Sequence, residues 1–383
     1  MDIIYKIFKY LIAVGILTFG IFCDVYAQRS MGLELGFDYG RIIPHRSYFE
    51  PDVTENSFAI DVGFCSGLNP KNYNYHLFSN TSIGGNFVFF KFGDSEIFGQ
   101  SIGFYPFIET QKKYEKSRLY GRLGLGFSYI SEKFNEIENP TNNVISADVN
   151  TVVRLEFGYK RKIKDRFWIN AGVLATHYSN GNMVQPNLGA NLFMGKLGVI
   201  YQLRDELATK ERDKVVFPEL NKKISLRLDF DYGYTTGRLS GRVPGKDLFP
   251  ITRANLVFAK AASLKGRWLL GLHYELDGSI YETLDYREDP KKFSVASKGM
   301  VTVGYEITIG HIGLFTHIGT YFLNKGYEPI SFFKHDFLYE IIGINAYLKD
   351  PNLNPHNNLF VSWRLKAHAA RAQNFSLGVG WVF

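Results

Sequence analysis

Stretch after stretch of this chain alternates between apolar and polar side chains, and the polar set is charged. From Ile224 to Tyr234 one face carries Ile224, Leu226, Leu228, Phe230, Tyr232 and Tyr234, and the other carries Ser225, Arg227, Asp229, Asp231 and Gly233. Successive side chains of a strand point to opposite faces, so a period of two reads as a strand with two environments. Charged groups cannot face hydrocarbon cheaply, which puts the first set against lipid and the second in a polar lumen. Val149 to Lys160 repeats the pattern, with Val149, Thr151, Val153, Leu155, Phe157 and Tyr159 outside and Asn150, Arg154, Glu156 and Lys160 inside. Leu119 to Tyr129, with Arg122 and Ser128 inside, and Val301 to Ile309, with Glu306 inside, do the same. A soluble sandwich also alternates, but with polar residues outside and a dry core. Here the strands reach the roughly 9–11 residues that cross a bilayer. Aromatic residues are 16% of the chain and proline is scarce, which favours strands further. The fold class expected is all-β, an antiparallel transmembrane β-barrel.

The amino-terminal segment fits an outer-membrane destination. Lys6 and Lys9 precede an apolar run from Tyr10 to Cys23, and Val25-Tyr26-Ala27 offers small residues for cleavage before Gln28. This reads as a signal peptide over residues 1–27. The run falls short of the about 20 apolar residues of a helical span. Phe22 stands where an anchor on Cys23 would need a small residue. Cys65 is then the one cysteine left, so no internal disulfide is expected. The net charge of +7 suits anionic lipid headgroups or a mixed solvated surface. A nucleic-acid partner is not expected of a secreted protein. The last strand aligns Phe375, Leu377, Val379, Trp381 and Phe383 on one face, a terminal pattern that outer-membrane barrels offer to the barrel-assembly machinery. Together these features predict a place in the outer membrane of a Gram-negative cell.

About sixteen candidate strands can be counted, an even number as in bacterial barrels. Eight fall within residues 28–203 and about eight within 224–383, separated by a charged stretch at 204–223 without alternation. A single barrel with 204–223 as a periplasmic turn is the simpler construction, and two eight-stranded barrels are the alternative. With a periplasmic amino terminus, the long polar loop from Ser131 to Asp148 and the loop from Asn180 to Ala190 lie outside the cell, and the turn from Lys162 to Arg166 is periplasmic.

The second of these outer loops belongs to the hairpin that carries chemistry. It reads Ala175-Thr176-His177-Tyr178-Ser179-Asn180-Gly181-Asn182-Met183-Val184-Gln185-Pro186-Asn187-Leu188-Gly189-Ala190-Asn191. A bare His-x-Ser pair arises by chance about once in a chain of this length. Its position is what distinguishes this one. Phe167, Ile169, Ala171, Val173 and Ala175 form the apolar face of the strand, and His177 and Ser179 continue that same face. Asn191 ends the outward face of the next strand, which carries Phe193, Leu197, Val199, Tyr201 and Leu203. Three polar groups thus converge on the lipid-facing wall at headgroup height, with the i, i+2 pair side by side.

The His-Tyr-Ser-Asn string followed by Pro-Asn-x-Gly resembles the lipid A 3-O-deacylase (PagL) family, whose members are outer-membrane barrels with a lipid-facing site. The motif covers about fifteen residues, and the strand pattern extends the resemblance over Met31 to Leu203. The resemblance implies an esterase acting on lipid A or lipopolysaccharide, with Ser179 as nucleophile and His177 as general base. It also places Asn180, Gly181 and Asn187 around the oxyanion. The family has a glutamate where this chain has Asn191, which can orient the imidazole but adds no charge. No cofactor and no metal are implied. A non-enzymatic barrel, either a pore or a structural protein, is the alternative. Leu365-Lys366-Ala367-His368 echoes the motif, but Leu359, Val361, Trp363, Leu365 and Ala367 are its apolar set, which turns His368 inward beside Lys366 and Arg364.

Overall fold

The computed structural model describes residues 30–68, 72–204, 215–236, 248–325, 338–368 and 371–383. The signal-peptide expectation, residues 1–27, lies outside them, as do residues 205–214 of the charged stretch. Sixteen strands are formed among the described residues. Their division departs from the single barrel: they close into two barrels of eight, the alternative arrangement.

The first barrel contains β1 (Met31–Ile42), β2 (Ser57–Gly67), β3 (Thr81–Lys91), β4 (Gln100–Lys113), β5 (Ser117–Ile130), β6 (Val149–Lys164), β7 (Phe167–Ser179) and β8 (Ala190–Arg204). The second contains β9 (Ile224–Thr236), β10 (Leu248–Ser263), β11 (Gly266–Asp277), β12 (Ser297–Ile309), β13 (Ile312–Asn324), β14 (Leu338–Tyr347), β15 (Asn358–His368) and β16 (Arg371–Val382). Each strand pairs antiparallel with its sequence neighbour. Closure comes from β1 with β8, where Phe37 faces Leu197, and from β9 with β16, where Phe230 faces Val379. Because β8 returns to β1, no ladder continues into β9, and residues 215–223 carry no strand before it begins.

The alternation resolves into two surfaces as expected. Leu35, Phe157, Leu197 and Phe230 are about half exposed, whereas Glu109, Glu156 and Asp231 on the opposite face are fully buried. In the first barrel Arg122 Nη2 lies 2.7 Å from both Glu34 Oε2 and Glu109 Oε2, and Lys196 Nζ lies 2.8 Å from Asp61 Oδ2. Arg154 Nη2 reaches Asp38 at 2.7 Å, and Lys160 Nζ reaches Glu109 at 2.5 Å. Eight strands leave an interior just wide enough for side chains to fill. A cavity beside Tyr105 and Arg154 measures about 10 Å³, roughly one water at most. The interior of the second barrel also carries buried ion pairs, Arg253 with Glu275 at 2.8 Å, Arg364 with Asp229 at 2.6 Å and Arg227 with Glu306 at 2.7 Å. His368 is buried there, with Nε2 3.0 Å from Tyr321 Oη, so it sits in the lumen as its face predicted.

At one end of the first barrel the strands are joined by 43–56, 92–99, 131–148 and 180–189, whereas two of the three connections at the other end are tight turns, 114–116 and 165–166, the third being 68–80. Long loops mark the extracellular end. There, Ile42, Phe90, Phe92, Phe98, Ile130, Val144, Ile145 and Leu192 pack into an apolar roof over the ion pairs. Val144 and Ile145 come from the loop 131–148, so that loop is folded into the mouth of the barrel.

Candidate active site

The hairpin of β7 and β8 sets the site by register. His177 is paired directly with Asn191, Ala175 with Phe193 and Val173 with Gly195. On the other side of β7, Ser179 pairs with Thr151 and His177 with Val153. His177, Ser179 and Asn191 are all half-buried on the outward face, at the end of a series whose deeper members are exposed and apolar.

His177 Nδ1 lies 2.6 Å from Asn191 Oδ1. A carboxamide oxygen only accepts, so Nδ1 carries the proton and Nε2 is the basic nitrogen of the neutral ring. The ring is seated against Gly189, whose φ of 76° is left-handed. A Cβ there would come within 2.6 Å of His177 Cε1, so both the turn and the ring require glycine. Asn187 Nδ2 donates to Ser179 Oγ at 3.0 Å, and the Asn180 backbone N–H donates to Asn187 Oδ1 at 3.4 Å. Gly181 and Asn182 follow with φ of 66° and 69°, two left-handed residues that turn the chain sharply after the strand.

One expected residue takes a different position. The Asn180 side chain is buried and donates to Ser146 Oγ at 3.0 Å, so it is the backbone N–H of Asn180 that adjoins Asn187. Ser146 comes from the loop 131–148, as do the carbonyls of Asn143 and Val144, which accept from the Leu188 and Gly189 N–H groups at 3.2 and 3.0 Å. These residues escaped the sequence reading because their loop has no periodicity. The buried run Val144-Ile145 within a polar loop was the available signal. Ser146→Ala removes one hydrogen bond behind the turn. It is expected to lower kcat about 2- to 10-fold with KM unchanged, read by fatty-acid release from purified protein.

Residues 57–199 match the family model described as lipid A 3-O-deacylase (PagL), and residues 224–383 match that of the acyloxyacyl hydrolase C-terminal domain. The chain belongs to the PagL family. The second match begins at the first residue of β9, so each of the two models falls on one barrel. Membership places the protein in the Gram-negative outer membrane, in agreement with the exposed apolar girdle of each barrel. No curated protein matches the chain. Among solved structures, the outer membrane enzyme PagL aligns at 14% identity over 43% of this chain and 97% of that one, with a TM-score of 0.30. Neisserial surface protein A aligns at 7% identity over 45% and 97%, with a TM-score of 0.32. The N-terminal β-barrel domain of Pseudomonas aeruginosa OprF aligns at 13% over 46% and 98%, with a TM-score of 0.29.

Proposed function

We propose that the first barrel hydrolyses an ester-linked acyl chain of lipid A or lipopolysaccharide at the outer-leaflet interface, through Ser179 and His177. The carrying observation is a basic imidazole, oriented at 2.6 Å by Asn191, on the same lipid-facing row as a serine that Asn187 contacts at 3.0 Å. A pore or a purely structural barrel has no use for such a group there. The paired charges that fill the first barrel also leave little room for conduction.

In this reading the lipid arrives along the wall of the barrel. Ala171, Val173 and Ala175 on β7 and Gly195 on β8 make an apolar strip, flanked by Leu155, Phe157 and Phe193, along which an acyl chain can lie. Ser179 Oγ attacks the ester carbonyl and its proton passes to His177 Nε2, a step general bases accelerate by about 10²–10⁴. The negative oxygen forms beside the Asn187 amide and the Gly181 N–H, with the Asn180 N–H moving to it from its long 3.4 Å contact with Asn187 Oδ1, and one such donor contributes about 10²–10³ in rate. The sugar hydroxyl leaves with the proton from His177, and water then cleaves the acyl-serine by the reverse relay. Asn191 holds the tautomer without a charge to stabilise the imidazolium, so this enzyme works more slowly than one with a carboxylate at that position.

Residues 28–203 form the catalytic domain in this proposal, 204–223 a linker and 224–383 a second domain, both barrels being inserted by the barrel-assembly machinery. The test is lipid A mass spectrometry of a host expressing the chain. The expected result is a species lighter by one hydroxyacyl chain. A spectrum identical to that of the empty host overturns the proposal.

A further inference from the structure

The two flanks of the catalytic row differ in charge. Toward β6 and β5, the outward positions beside Ser179 and His177 are Thr151, Val153, Leu125 and Phe127, none of them ionisable. Toward β1 the situation reverses. The outward face of β1 carries Leu33, Leu35, Phe37 and Tyr39, and its next member is an exposed Arg41. Arg41 pairs with Phe193, which pairs with Ala175, and the Ile43 N–H donates to the Asn191 carbonyl at 2.8 Å. Two strand spacings of about 4.8 Å therefore separate Arg41 from β7, a gap that an arginine with its stem laid along the apolar wall can narrow. Beyond Arg41 the chain continues as Pro44-His45-Arg46, with His45 and Arg46 exposed.

Arg41, His45 and Arg46 have no carboxylate partner among the described residues, whereas Lys133 on a neighbouring loop is paired with Asp148 at 2.7 Å. The nearest acids in sequence are Asp38, buried in the lumen and paired with Arg154 at 2.7 Å, and Glu50, which is exposed. The basic segment is nevertheless held in place. The His45 ring meets Phe49 edge-on with centroids 6.3 Å apart, and Phe49 packs on the apolar roof. Asn143 Nδ2 donates to the Tyr48 carbonyl at 2.7 Å, and the Asn143 carbonyl accepts from Leu188 at 3.2 Å. One residue thus anchors both the basic segment and the catalytic hairpin.

We infer that Arg41, His45 and Arg46 form a phosphate subsite that binds the phosphomonoester on the sugar whose ester is cut. The inference rests on the deacylase reading and deepens it. The cut ester sits on carbon 3 of a hexosamine, and a phosphate on carbon 1 of the same ring projects sideways from the acyl chain. With the chain along β7, a phosphate on the β1 side meets the guanidinium groups, which bind phosphate in a forked, bidentate geometry. The subsite fixes which side of the sugar faces Ser179.

The test uses the full chain in phosphatidylcholine vesicles with a 3-O-acylated glucosamine 1-phosphate lipid or the same lipid lacking the phosphate. The wild type is expected to lose about 10- to 100-fold in kcat/KM when the phosphate is absent, carried by KM. Arg41→Gln combined with Arg46→Gln is expected to lose a similar factor on the phosphorylated lipid and nothing on the other. Equal loss on both lipids, or none on either, overturns the subsite. Retention of each lipid by Ser179→Ala protein decides the matter independently of turnover. Preference for the phosphorylated lipid that vanishes with the two arginines supports the subsite even if no ester is cut, in which case only the deacylase reading fails. Equal retention, or equal competition by phosphatidylglycerol, overturns it.

Discussion

Lipid A from cells expressing Ser179→Ala keeps every acyl chain, and the purified variant hydrolyses the ester at least about 10³-fold more slowly than the wild type. That factor corresponds to about 4 kcal/mol of transition-state stabilisation. It is large because in the proposed mechanism Ser179 supplies the bond-forming atom, whereas the residues around it only position or stabilise. His177→Ala is expected to lose about as much, and the double variant no more than either single one, since nucleophile and base act as a unit. Asn187→Ala removes one donor and is expected to cost about 10²–10³. The substitution at residue 179 is local: it trims one oxygen from a half-buried side chain at the end of β7, outside the ion-paired lumen. Unchanged electrophoretic mobility of the unheated, folded barrel verifies that. Continued deacylation by Ser179→Ala would mean that another group attacks the ester, and the whole reading of the β7–β8 hairpin would fall.

The parts of this arrangement that were legible in the sequence depend on a local rule. A strand in lipid writes its two environments into alternate positions, so the faces of β6 and β9 could be assigned residue by residue. The facing of His177 and Asn191 followed because each simply extends an apolar face already identified. What decides the number of barrels is not local. The sixteen strands look alike, and the choice lies in whether β8 pairs with β1 or with β9, a contact between residues such as Phe37 and Leu197. The buried charges record that choice only once they are paired. Arg122 finds Glu34 across 88 positions, inside the first barrel, and Arg364 finds Asp229 inside the second. The supports of the site were hidden for a related reason. Ser146 and Asn143 lie in a loop whose conformation is fixed by packing into the barrel mouth, and the Asn180 side chain follows Ser146 instead of the substrate face.

Arg122→Met is expected to destabilise the first barrel by about 3–5 kcal/mol, the cost of breaking a buried ion pair by removing one partner. Arg122 is buried with its guanidinium against two carboxylates at 2.7 Å, a third at 3.8 Å and the face of Phe107, 4.0 Å from the ring centroid. Without it, Glu34 and Glu109 keep Lys196 and Lys160, but the excess negative charge stays in a medium from which it cannot escape to water. Urea titration in detergent micelles is expected to show the midpoint falling with little change in slope. Adding Glu34→Gln alone to Arg122→Met is expected to recover most of the loss, because one buried cation and one buried anion are then removed together while Glu109 keeps Lys160 and Asp61 keeps Lys196. A midpoint for Arg122→Met equal to that of the wild type would mean that water enters the lumen and screens these groups. It would also return the pore reading to contention. In the proposed mechanism the groups that cleave the ester, Ser179 and His177, sit on the outer wall, away from this network. The rate per folded molecule is therefore expected to persist in Arg122→Met at low temperature, with activity lost only as the barrel unfolds.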